Sequence, residues 1–312
     1  MKKIAKIAGN LLMIAALVFL IKKITGMDAD FTQFGSPNVI TALAASFIVQ
    51  TAVIVMGTFP WLMFTQALSG TKIPFSAAMP VYTKSNVFKY VPGNVFQYIG
   101  RNQLAADMNI SHVDVACATI FDVLFCVLST GIISVVLLGG EIVGLLGKYG
   151  KNLLIIAAAA VLILTAGIVV VRLKFYRQVG GYLARYRKAF EPGNRNKFIS
   201  GASYYLLQNL VSAISYFVSL ALVFGGTADF PKLISLTGAF MFAWIIGFVT
   251  PGAPGGIGIR ESVMLFVCGD EYESKVLLFV LVMRFASILA DVAAFVIGRI
   301  YLRAVRRKHK IS

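Results

Sequence analysis

The sequence predicts an all-α protein that crosses a membrane several times, and three observations carry that prediction. The 312 residues are 58% hydrophobic and only 13% charged, whereas soluble proteins carry about 25% charged residues. Several apolar runs reach the ~20 residues that a helix needs to cross a hydrocarbon core about 30 Å thick. The basic residues, which give a net charge of +16, gather beside those runs, as is typical of cytoplasmic loops. We therefore expect one integral membrane domain over residues 1–312.

Six apolar runs predict full membrane spans. The first run follows residues 1–6, which include three lysines, and extends to Ile21. A cleaved signal peptide is the alternative for this run, but no clear small-residue cleavage site follows it. The other five runs lie at about 38–58, 116–138, 152–171, 201–224 and 276–298.

Two further hydrophobic segments, at about 74–101 and 233–268, are broken by proline and glycine. Proline lacks a backbone N–H and clashes with the preceding turn, and glycine lowers helix propensity. Broken backbone at membrane depth is tolerated only where protein buries it or where it lines a wet cavity. We interpret each segment as two half-length helices that meet at a re-entrant turn. The residues that form the turns are Pro92 and Gly93 in the first segment and Pro251, Gly252, Pro254, Gly255, Gly256 and Gly258 in the second.

The distribution of charge predicts the orientation. Residues 172–197 contain eight Lys or Arg and one acid, and the tail at 299–312 is also basic. The excess of positive charge places both termini, 101–115 and 172–200 in the cytoplasm, and 24–37, 139–151 and 269–275 outside. The two hairpins then enter from opposite faces, as in an inverted repeat of a transporter. If each hairpin is instead two thin full spans, the number of crossings stays even, and both termini still lie on the same side of the membrane.

The basic segment at about 172–200 has a pattern of its own. Apolar residues recur at intervals of three and four between basic ones over 173–190, which predicts an amphipathic helix lying on anionic lipid. An ordinary basic loop that only sets the orientation is the alternative.

Metal, disulfide and nucleic-acid chemistry are not expected. Cys117, Cys126 and Cys268 lie in apolar runs without paired spacing, and neither His112 nor His309 has a partner at metal-ligand spacing. There is no basic soluble domain to bind nucleic acid. We expect no metal and no cofactor.

Arg260 and Glu261 directly follow the glycines of the second break. Those glycines free backbone N–H groups at a helix N-terminus, where anions bind. Arg260 would bind a phosphate, and Glu261 would orient that arginine or compete for it until the substrate arrives. The alternative is a structural ion pair between the two.

Further charged residues lie inside apolar runs, where charge is costly and usually functional. Arg284 and Asp291 share one face of the last span, and Asp122 interrupts another. Asp291, Asp122 or a lipid phosphate is the expected partner of Arg284. Asp122 is equally well interpreted as a structural partner or as a proton site.

Two groups of polar residues follow helical spacing. Asn94, Gln97 and Arg101 share one face after the first break, which places them in the site; a proline kink in an interfacial helix is the alternative. A second stripe typically mediates packing between helices in lipid, with cavity lining as the other interpretation. It consists of Gln208, Ser212, Ser215 and Ser219.

The segment 89–101, the segment 251–261 and Arg284 together resemble the transmembrane region of lysylphosphatidylglycerol synthases, a family that includes stand-alone flippase-like proteins. The resemblance covers essentially the whole chain. It implies movement of a lipid between leaflets, but no synthase activity, because the soluble synthase domain has no counterpart here. Ala118 and Thr119 stand where the family often has a Glu-Arg pair, so no preference for a cationic headgroup carries over.

From these observations we expect a non-enzymatic protein of the cytoplasmic membrane that binds anionic lipids and moves them across the bilayer. The lipid is a phospholipid or a polyprenyl-phosphate-linked lipid. One alternative is a membrane scaffold or partner of a lipid-modifying or glycosyl transferase. Another is an enzyme that transfers a group to a lipid phosphate.

Orientation is tested by labelling single cysteines from outside the cell, in a chain whose three cysteines are replaced by serine. We expect Arg187→Cys to react with an impermeant reagent only after permeabilisation, and Ser274→Cys to react in intact cells. Strong labelling of position 187 in intact cells would show that the orientation is reversed.

Overall fold

The computed structural model describes residues 34–90, 96–139, 187, 191–249, 259–268 and 272–311. These residues form helices and no β-strand, with short 3-10 turns at Val87–Tyr90 and Ala106–Met108. The helices are α1 (Pro37–Met56), α2 (Thr58–Ser69), α3 (Phe75–Asn86), α4 (Phe96–Ala105), α5 (His112–Leu138), α6 (Pro192–Phe224), α7 (Phe230–Val249), α8 (Ile259–Cys268) and α9 (Glu273–Ile311).

Five helical stretches in this part of the chain are long and apolar enough to cross a membrane: Pro37–Ser69, His112–Leu138, Pro192–Phe224, Phe230–Phe248 and Glu273–Val305. The expectation of a polytopic helical protein is therefore confirmed. Four of the expected spans fall within these stretches. The spans expected at the N-terminus and at 152–171 lie outside the described residues, as does most of the segment 172–200.

The two broken segments are only partly as expected. Helices α3, α4 and α8 have 12, 10 and 10 residues, which is about half of a crossing. Helix α7 instead has 20 residues, about 30 Å and enough to cross, so its half-length interpretation is wrong. Pro231 stands in the first turn of α7, where proline is tolerated, and the glycines inside this helix weaken it without ending it. The turns themselves, at 91–95 and 250–258, lie outside the described residues.

Local sequence signals set several helix ends. Ser36 and Ser111 cap α1 and α5, and their hydroxyls accept the N–H groups of Val39 at 3.4 Å and of Val113 at 3.3 Å. Gly70 and Gly225 end α2 and α6 in the left-handed conformation, with φ of 72° and 58°, which glycine adopts without steric cost.

Two apolar clusters hold the bundle together, and α6 joins them. The first includes Leu220, Phe240 and Phe279 and lies where α1, α6, α7 and α9 meet. The second includes Trp61 and Phe198 and lies where α2, α5 and α6 meet. Between these clusters, α6 carries several polar residues at positions 205–216. The helix therefore runs from one apolar cluster, through a polar layer, to the second apolar cluster.

Helices α5 and α7 approach each other closely at Gly238. The Ser134 hydroxyl donates a hydrogen bond of 2.8 Å to the Gly238 carbonyl. A Cβ at position 238 would lie 2.7 Å from the backbone nitrogen of Leu138 and 2.9 Å from the Ser134 carbonyl oxygen. Since both are backbone atoms, only glycine permits this approach, in the way that small residues do at helix interfaces in membranes.

We expect Gly238→Ala to lower the stability of the detergent-solubilised protein by about 1–3 kcal/mol, as overpacking typically does. Gly131→Ala is the matched control, because a Cβ there meets only the Ile245 side chain, at 3.8 Å. Melting curves of the two variants test this. Equal melting temperatures would show that α5 and α7 are not in backbone contact at this point.

Candidate functional site

A cavity of about 250 Å³ lies inside the bundle and touches both apolar clusters. Every described helix except α2 contributes to its wall. At about 30 Å³ per water molecule, it has room for roughly eight waters or a small polar group. The polar side chains that line it come from all of these helices except α7 and from the 3-10 turn after α3: Gln50, Tyr82, Asn86, Lys89, Tyr90, Gln97, Tyr98, Arg101, Asp122, Thr130, Tyr205, Gln208, Asn209, Ser212, Tyr216, Arg260, Arg284 and Ser287.

Arg101 and Asp122 form a buried ion pair on one side of the cavity. The Arg101 Nη1 atom lies 2.6 Å from Asp122 Oδ2, and both side chains are under 7% exposed. The Tyr205 hydroxyl donates a hydrogen bond to the other carboxylate oxygen, Oδ1. The pair joins α4 to α5, and Tyr205 adds α6. Asp122 is thus the partner of Arg101, in line with its structural interpretation.

Aromatic rings and a hydroxyl fix the Arg101 guanidinium. It lies 4.1 Å from the centre of the Tyr82 ring, a favourable cation–π distance. Its Nε donates to the Ser85 hydroxyl at 3.2 Å. Tyr82 in turn packs on Gly57, where a Cβ would lie 2.9 Å from the tyrosine hydroxyl oxygen. Gly57, which lies between α1 and α2, therefore leaves space for the Tyr82 ring that packs on Arg101.

Glu261 and Arg284 form a second buried pair, with two hydrogen bonds. Arg284 Nε donates to Oε1 at 2.5 Å and Nη2 donates to Oε2 at 2.8 Å. This is the two-pronged geometry that a guanidinium offers a carboxylate. The pair ties α8 to α9. The expected pairing of Glu261 with its neighbour Arg260 is therefore replaced by a pairing with Arg284.

Asp291 does not pair with Arg284, so this expected partnership is wrong. Its carboxylate accepts bonds from Asn86 at 2.7 Å, from Lys89 at 2.7 and 2.9 Å, and from the Tyr90 hydroxyl at 2.5 Å. The side chain is almost fully buried. Arg284 and Asp291 are both on α9, but the partners of Asp291 come from the end of α3 and from the 3-10 turn that follows it.

Arg260 differs from the other three cations that line the cavity. Its Nε is buried without a hydrogen-bond partner, and no acid within the described residues forms an ion pair with it. An arginine stays charged in proteins, and a buried charge is costly unless it is paired. Among the described residues, Arg260 is therefore the cation of the cavity wall that has no acid within ion-pairing distance.

The structure brings together seven of the eight expected binding residues. Arg260, Arg284, Arg101, Gln97 and Asp122 line the cavity, while Glu261 and Asp291 hold cations of its wall. Asn94 lies outside the described residues, as do all of the proline and glycine positions expected to form the turns. The stripe on α6 is divided. Gln208 and Ser212 face the cavity, whereas Ser219 bonds to Ser46 of α1 at 2.6 Å.

Sequence reasoning missed Lys89 and Tyr90 as site residues, together with Tyr205, Asn209 and Tyr216 on α6. The α6 residues had a readable signal, since Tyr205, Asn209, Ser212 and Tyr216 recur at spacings of four, three and four. Lys89 and Tyr90 directly precede the first break, but their partner Asp291 is about 200 positions away in the sequence. Only the fold shows that contact.

The chain matches none of the family models, curated proteins or solved structures with which it was compared. The resemblance to the lysylphosphatidylglycerol synthase membrane region therefore stays a prediction. Within the described residues, no group of three His, Cys, Asp or Glu is placed to hold a metal ion. The cavity wall combines three cations paired with acids and, among the described residues, one arginine without an acid partner.

We expect Arg284→Gln to lower the stability by about 3–5 kcal/mol, because it leaves the Glu261 carboxylate buried without its cation. Adding Glu261→Gln to this variant should restore most of the loss, since two amides replace the two charges. Arg260→Gln should change stability little, because Arg260 forms no ion pair with an acid of the described residues. Melting curves of the four proteins decide the matter, and full stability of the single Arg284→Gln variant would contradict the structural role of this pair.

Proposed function

We propose that the protein binds the phosphate of an anionic lipid in this cavity and moves the headgroup across the bilayer, as a flippase does. The observation that supports this most is Arg260, which lines the cavity, has a buried Nε without a hydrogen-bond partner, and lacks an acid partner in the described part of the chain. A phosphate would provide the missing negative charge. A guanidinium matches its oxygens in the same two-pronged way as it matches a carboxylate.

The surroundings of Arg260 also fit a phosphate. Arg284 lines the same cavity and is tied to Glu261, the residue next to Arg260. A phosphate bound by Arg260 would therefore lie near a second guanidinium. Tyr216 lines the same cavity, and its hydroxyl offers a donor for one of the remaining oxygens.

The arrangement of the broken segments supports transport rather than binding alone. Each break is flanked by helices that pack on each other, α3 with α4 and α7 with α8. Both pairs contribute to the cavity wall. In our proposal the two broken segments are opposed parts of an inverted repeat: α3 and α4 form a re-entrant hairpin, while α7 crosses the membrane and only α8 is half-length. Movements of these two segments expose the cavity to one leaflet and then to the other.

The lipid class within this proposal is a phospholipid or a polyprenyl-phosphate-linked lipid, in keeping with the family resemblance. We propose a non-enzymatic role because the candidate bases are already engaged: Asp122, Asp291 and Glu261 each accept bonds from a cation. General-base catalysis needs a carboxylate placed to accept a proton from the substrate. We place the protein in the cytoplasmic membrane with both termini inside.

The test is headgroup movement in reconstituted vesicles, with fluorescent phosphatidylglycerol and a fluorescent polyprenyl phosphate as two separate probes. We expect the wild type to move at least one of them. Arg260→Gln should slow that movement at least about tenfold, because a hydrogen bond to a charged group contributes about 1.5–3 kcal/mol. Arg260→Lys should recover little, since an ammonium cannot make the two-pronged contact.

Arg299→Gln is the matched control, because it removes an exposed arginine of α9 that is not part of the cavity wall. Its transport rate should equal that of the wild type. If neither lipid moves, or if Arg260→Gln moves lipid as fast as Arg299→Gln, the proposal is wrong.

A further inference from the structure

A second, apolar space lies beside the polar cavity. It is a groove of about 890 Å³ between α4 and α5, closed at one point by Phe248 of α7. Its rim includes Ile99, Ile120 and Leu124, which are 50%, 50% and 45% exposed. Exposed apolar side chains are ordinary on a surface that faces lipid. This surface is unusual because it is concave and because it adjoins the polar cavity.

The groove and the polar cavity share three lining residues, Tyr98, Val123 and Phe248. The two spaces therefore meet at one wall, where a tyrosine and two apolar side chains stand between them. On one side of this wall lie four cations and on the other side almost only hydrocarbon. An amphiphile with a charged head and an apolar chain matches that division.

The dimensions agree with a lipid chain. Along α5 the largely apolar part of the groove extends from Ala116 to Val127, which is about 17 Å of helix at 1.5 Å per residue. One leaflet contributes about half of a hydrocarbon core of 30 Å. At its other end the groove is polar, since Asn102 donates a bond of 2.7 Å to the His112 carbonyl there. The groove thus runs from a polar end into an apolar channel about one leaflet deep.

We propose that this groove holds the hydrocarbon chain of the lipid whose phosphate binds near Arg260, with Tyr98 at the passage between the two. The inference rests on the proposed function and identifies its ligand as a membrane lipid rather than a soluble anion. A cavity of about 250 Å³ has no room for a lipid chain, and moving each methylene into a polar space is unfavourable. The chain therefore stays in the groove while the headgroup enters through the side of the bundle.

Binding assays in detergent compare dioleoyl-phosphatidylglycerol with glycerophosphoglycerol, which has the same phosphodiester headgroup but no acyl chain. We expect the wild type to bind the lipid at least tenfold more tightly. Val127→Trp fills the groove without entering the polar cavity, and it should abolish this advantage while the affinity for glycerophosphoglycerol stays the same. Val136→Trp is the matched control, since Val136 is on the same helix, 72% exposed and outside the groove.

The outcomes separate the two proposals. If Val127→Trp binds the lipid as well as Val136→Trp does, the groove does not hold the chain, while loss of both ligands in Arg260→Gln still supports the cavity as the phosphate site. If Arg260→Gln binds both ligands like the wild type, the proposed function itself fails.

A measurement on the wild-type protein covers the case in which Val127→Trp does not fold. Phosphatidylglycerol with a photoreactive group in its chain should crosslink to residues 116–127, and unlabelled phosphatidylglycerol should compete more strongly than phosphatidylcholine. Equal crosslinking at Ile132 and Val136, with no difference between the competitors, would show ordinary surrounding lipid and overturn the inference.

Discussion

The neutralisation of buried charge is the constraint on which the rest of this structure depends. In a low-dielectric interior a cation without a counter-charge is costly, and one that loses its partner destabilises the fold. Three acids in the described part of the chain meet this constraint, and each pair joins a segment beside one of the two breaks to a long helix. The pairs are Lys89–Asp291, Arg101–Asp122 and Glu261–Arg284. Ion pairing therefore adds to helix packing in fixing the segments beside the two breaks.

In our proposal, the same accounting of charge explains why a binding site remains. The fourth cation, Arg260, lines the cavity without an acid at ion-pairing distance among the described residues. A fully paired cavity would be a structural polar core, whereas an unpaired arginine favours an anion. The two apolar clusters border this polar layer, and the proposed role of the adjacent apolar groove is to hold the chain of an amphiphile.

Part of the site was predictable from the sequence, because charge and proline are conspicuous in apolar runs. Asp122, Arg284 and Asp291 were identified as charges inside apolar runs, and Arg101 by its helical spacing after the first break. The structure places all four in the cavity wall or directly behind it. Their pairing was not predictable. Asp291 and Arg284 share one helix face seven residues apart, yet Asp291 pairs with Lys89, 202 positions away. Sequence spacing describes neighbours on one helix, whereas an ion pair depends on which helices approach each other.

The sequence by itself determined that the chain is helical and can cross a membrane, because hydropathy and helix-breaking residues act locally. It also determined where most of the long helices lie, although the length of α7 shows that a proline in a first turn and single glycines do not end a helix. Only the tertiary structure decided which acid neutralises which cation, which cation is left over, and that a groove joins the cavity. Those features depend on contacts between helices that are far apart in the sequence, and no local pattern encodes such contacts.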